Sequence, residues 1–89
     1  MENLIKEKLE KYLKLTEEAI KIIEKSKFDD QGKELLKMSK CYFEDAKHFK
    51  LKGDFINALS AVNYAHAFLD SGVVLKIFKV KDNKLFMAD

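Results

Sequence analysis

Five side chains have the types and spacing to do chemistry. Asp45 and His48 stand three residues apart, and Asn63, His66 and Asp70 follow a three-then-four spacing. On helices each set shares one face, because positions three and four apart lie one above the other. A carboxylate beside an imidazole can orient it for general acid–base work, hold a small ligand, or contribute to a metal site.

Whether the two sets meet depends on the turn between them. Gly53 can take the left-handed conformation that closes one helix, and Asp54 can cap the next, so Gly53-Asp54 specifies a tight helical hairpin. Residues whose numbers sum to about 107 then lie level on the two arms. Asp45 falls near Val62 and Asn63, within a turn of His66, while His48 falls near Leu59. His48 and His66 are about seven residues apart along the bundle, and at ~1.5 Å per residue they cannot share a metal ion. The cluster Asp45, Asn63, His66 and Asp70 is expected as a polar network that fixes the register of the second and third helices. A small ligand or metal pocket is the alternative use of the same residues.

Other chemistries find no support. The Asp-x-x-His spacing lacks the paired Glu-x-x-His and further glutamates of a di-iron bundle. Cys41 and His48 are two helical turns apart, too far for a nucleophile–base pair. No glycine-rich phosphate loop, zinc spacing or serine triad is present. No catalytic residue, metal site or cofactor is assigned, and the expectation is a protein that is not an enzyme.

The composition sets the scale. Eighty-nine residues make one domain, 1–89; 47% are apolar and 36% charged, which suits a globular chain. The net charge is +2, and every cationic residue besides the two histidines is lysine. Without arginine, bidentate guanine readout and guanidinium phosphate clamps are absent, so weak lysine-mediated RNA binding is only a minor alternative. Lys and Glu enrichment hints at a thermophile. The single Cys41 permits no internal disulfide. Together with a charged amphipathic start and no long apolar run, it leads to an expectation of a soluble, cytoplasmic protein.

The elements that must position the cluster follow from periodicity. Ile5, Leu9, Tyr12, Thr16, Ala19 and Ile23 repeat at four and three, predicting a helix over about 3–26. Leu35, Met38, Ser39, Tyr42, Ala46 and Phe49 predict a second over 31–52, with Leu36 and Phe43 at the edge of its stripe. Phe55, Ala58, Leu59, Val62, Ala65, Leu69, Val73 and Ile77 predict a third over 54–79. Short connections give an all-α, three-helix up-and-down bundle with antiparallel neighbours. A C-terminal tail, turning at Asp82-Asn83, is expected to pack back with Leu85, Phe86 and Met87.

Helix three is apolar around most of its circumference. Beyond its core stripe it carries Tyr64, Phe68, Leu75 and Phe78, where charges would be expected on a monomer's surface. These four residues form the candidate interface. The tail covers part of it, or a homodimer or another protein does.

The pieces Asp45-Ala46-Lys47-His48-Phe49, Gly53-Asp54 and Asn63-Tyr64-Ala65-His66 give the chain a resemblance to the short archaeal proteins of domain of unknown function 357. That resemblance covers most of the chain. It implies a closed three-helix up-and-down bundle in an archaeal protein and brings no activity with it. More distantly, the aromatic-x-x-Asp-Ala hairpin with Gly-Asp and an alanine-rich helix is similar to HEPN-type domains. Nuclease members of that group use an arginine shortly before a histidine, and Asn63-Tyr64-Ala65-His66 supplies none. This likeness leaves open a non-catalytic relative acting as a partner-binding module.

Overall fold

The turn at Gly53-Asp54 sets the architecture. Gly53 is left-handed, with φ of 77°, and the preceding helix closes through Asp54 N–H to Phe49 O at 2.9 Å and Gly53 N–H to Lys50 O at 3.0 Å. Asp54 then accepts from the backbone of Asn57 at 3.2 Å and from its side-chain amide at 2.7 Å. Stop and start signals are adjacent, so the chain reverses without a loop.

The computed structural model describes residues 2–81 together with 85 and 86. Three helices make up the fold: α1, Glu2–Glu24; α2, Asp30–Leu51; and α3, Phe55–Val74. Asp29 caps α2, accepting from Gly32 N–H at 3.0 Å. The ion pairs Lys40–Glu24 and Lys50–Glu10 run in opposite senses along α1 and α2. The contacts Ser39–Ala65 and Tyr42–Tyr64 do the same for α2 and α3. Adjacent helices are therefore antiparallel, and the fold is the expected all-α bundle. The turn expected at Asp82-Asn83 and the packing expected of Met87 lie outside the described residues.

Most of the interhelical packing is against α3. Its buried face is built from Ala58, Ala61, Val62, Ala65 and Leu69, and the small side chains let the other backbones approach. Ser39 uses that closeness, donating its hydroxyl to Ala65 O at 2.8 Å. Leu9, Ile23 and Leu69 are all but inaccessible, each contributing roughly 1.5–3 kcal/mol by burial. An exposed pair such as Glu17–Lys21 contributes about 0.3–0.5 kcal/mol, so the core decides stability. Among the described residues no helix is long and apolar enough to cross a membrane.

Two features depart from the periodicity. The buried stripe of α2 is Leu36, Ser39, Phe43 and Ala46, a rotation away from Leu35, Met38 and Tyr42, and Met38 is exposed. The rotation buries Phe43 between α1 and α2, beside Leu13.

The second departure is that α3 stops at Val74 instead of reaching residue 79. Lys76 takes a left-handed φ of 61°, Ile77 N–H bonds Gly72 O at 2.8 Å, and Lys76 N–H bonds Val73 O at 3.0 Å. The reversal drops Phe78 onto Gly72, where an added Cβ would lie 2.3 Å from the ring. There Phe78 meets Phe28 edge-on, with ring centroids 5.7 Å apart. A buried aromatic pair outweighs one more turn of helix.

Candidate functional site

His66 projects from α3 toward α1, not toward α2. Thr16 meets it there: the threonine Oγ1 lies 3.0 Å from Nδ1. Its Nε2 faces the carbonyl oxygen of Leu85. A carbonyl only accepts, so Nε2 carries a proton and donates it. When the ring is neutral, Nδ1 accepts from the Thr16 hydroxyl; when it is charged, Nδ1 donates to that oxygen. Asp70 Oδ1 stands 3.7 Å from Nε2, and the Phe86 ring stacks over the imidazole at 6.3 Å between centroids. The histidine thus joins three parts of the chain: α1, α3 and the segment 85–86.

This geometry divides the expected cluster. His66 and Asp70 are together, and Asn63 borders the same groove, although its side chain is exposed. Asp45 does not join them. It lies exposed on the far side of α2, beside Cys41 and Glu44, because the rotation of the α2 stripe carries position 45 outward. The network expected between α2 and α3 is therefore one between α1 and α3. Thr16, its missing member, had a sequence signal: a hydroxyl within an apolar stripe must find a partner once buried.

The groove beside His66 is also bordered by Tyr12, Leu15 and Ala67, and measures about 250 Å³. Small-molecule sites usually occupy roughly 300–1,000 Å³. Both imidazole nitrogens are engaged, and among the described residues no three of His, Cys, Asp and Glu converge as metal ligands. The arrangement fastens chain segments to one another.

The candidate interface is also divided. Tyr64 and Leu75 are 60% and 68% exposed. Phe68 is half-buried and stacks on Tyr42 at 5.7 Å with the planes 15° apart, and Tyr42 also meets Tyr64 at 5.5 Å. Phe78 is not on this face: it is 1% exposed, inside the bundle end, because α3 ends before it. Tyr42, Ile56 and Val74 belong in its place. Tyr42 bridges to α2, and Ile56 and Val74 are 67% and 57% exposed on α3.

Along the outer side of α3 the exposed positions are Ile56, Asn57, Ser60, Asn63, Tyr64, Ala67, Ser71 and Val74. None is charged, whereas the exposed sides of α1 and α2 alternate Lys with Glu or Asp. The contrast is a property of the sequence folded in this register. It leaves one helix-length surface with no ionic component.

Comparison with curated proteins gave no match, and comparison with solved structures gave none. The family model described as "Protein of unknown function (DUF357)" matches residues 11–78, a span holding most of α1, all of α2 and α3, His66 and the Phe78 plug. With three helices packed in the expected order and the match running through all of them, the chain belongs to the DUF357 family of proteins of unknown function.

Proposed function

We propose that the protein is a non-enzymatic interaction module that self-associates through the outer face of α3. The observation carrying this reading is the uncharged row from Ile56 to Val74, continued by Leu75 at the helix end. A two-fold contact sets each residue opposite a symmetry-related part of the same surface, so any charge near the axis meets its own kind. This face has none along its centre. Ser60, Ala67 and Ser71 are small enough for a second helix to approach closely, and Tyr64 with Val74 and Leu75 supplies apolar area at the sides.

The test is the solution mass by gel filtration with light scattering. The wild-type chain is expected to run as a dimer. Ser71→Glu, which places a charge on the face at an exposed position, is expected to give a monomer with unchanged helical circular dichroism. A dimer that survives Ser71→Glu contradicts the reading.

A further inference from the structure

The chain ends two helices with the same hydrogen-bonded motif and different residues at its critical position. After α2 the left-handed residue is Gly53, with φ of 77°, held by the 2.9 and 3.0 Å bonds to Phe49 O and Lys50 O. After α3 it is Lys76, with φ of 61°, held by the 2.8 and 3.0 Å bonds from Ile77 and Lys76 to Gly72 O and Val73 O. Among the described residues Lys76 is the one non-glycine with positive φ. A side chain there disfavours the conformation by roughly tenfold, since its Cβ crowds the following carbonyl.

Nothing local requires this stop. Residues 75–79 contain neither Gly nor Pro, and Ile77 continues the apolar repeat through Val73. The reversal is held from downstream, by Phe78 in its notch at Gly72 against Phe28 and by the Leu85 carbonyl at His66. A second copy of the chain presents the same notch and the same imidazole.

We propose that the stretch carrying Phe78 exchanges between two copies, with Lys76 as the hinge. In the exchanged form Lys76 returns to right-handed geometry and α3 runs on as its periodicity dictates. Phe78 then enters the Gly72 notch of the second chain and packs on Phe28 there, and the reverse occurs symmetrically. The apolar contacts are the same in both forms, so relief of two left-handed lysines favours the dimer; strained short hinges are the known setting for such exchange. The proposal rests on the self-association reading and adds which segment passes between the chains.

The variant Lys76→Gly removes the strain from the closed form. Glycine accepts the left-handed conformation and weakens a continuous helix. At about tenfold per hinge, the dimer dissociation constant, measured by sedimentation equilibrium, is expected to rise on the order of a hundredfold. In a wild-type dimer mixed from isotope-labelled and unlabelled chains, filtered NOE spectra are expected to show Phe28–Phe78 contacts between chains. An unchanged constant in Lys76→Gly, or Phe28–Phe78 contacts confined to one chain, overturns the exchange. If Ser71→Glu dissociates the dimer while Lys76→Gly does not, the α3 face stands and the exchange falls. If Lys76→Gly dissociates it and Ser71→Glu does not, the exchange stands and the α3 face falls.

Discussion

Thr16 is 1% exposed, and the structural work of its hydroxyl lies in the 3.0 Å contact with His66. Replacing it with valine keeps the size and removes the hydrogen bond, which at a half-buried partner contributes about 1 kcal/mol. Thr16→Val is therefore expected to lower stability by about that amount in urea unfolding, and Thr16→Ser to recover most of it. A loss in Thr16→Val that Thr16→Ser does not recover would assign the effect to packing of the methyl instead. This pairing was half legible in the sequence: the spacing of His66 and Asp70 was evident, and Thr16 already belonged to the α1 stripe. What spacing along one helix could not supply was azimuth, that is, which neighbouring helix the imidazole faces. The position of Asp45 has the same cause: the buried stripe of α2 keeps Ser39 and Ala46 but turns from Leu35, Met38 and Tyr42 toward Leu36 and Phe43, which leaves Asp45 facing solvent.

At the level of elements, boundaries were legible where the chain states them in local chemistry. Gly53 and Asp54 act on their own backbone neighbours, and α2 ends and α3 begins where they stand. Gly53 offers a clean test because a Cβ built there meets nothing within 4 Å. Gly53→Ala is thus a backbone change alone, expected to cost about 1–2 kcal/mol for the left-handed conformation, read as a lower midpoint in chemical denaturation with an unchanged slope. The end of α3 was not legible because its cause is remote. The apolar repeat continues to Ile77, and the termination depends on an aromatic partner, Phe28, fifty positions upstream of Phe78. The extent of the exposed apolar face has the same cause: Tyr64 and Leu75 lie on the surface, and Phe78 is buried at the bundle end.

For the molecule as a whole, topology followed from three apolar stripes and two short connections, and the alanine-rich α3 is the element against which the others pack. The contacts between α2 and α3 span a tight hairpin and are close in sequence. The plug of Phe78 on Phe28 and Gly72 joins the connection before α2 to the exit from α3, which are far apart. Contacts that close long loops carry an entropic cost that favours their late formation. Folding is thus expected to begin with the hairpin, and its transition state to lack the plug. Phe78→Ala should lose about 3–5 kcal/mol at equilibrium, almost all of it as faster unfolding in stopped-flow denaturant jumps, with the refolding arm nearly unmoved. A refolding rate that fell in proportion would place the aromatic pair in the nucleus. On the expected outcome, the ring at the end of the bundle governs the lifetime of the folded chain, while the Gly53 turn at the opposite end governs how quickly that chain forms.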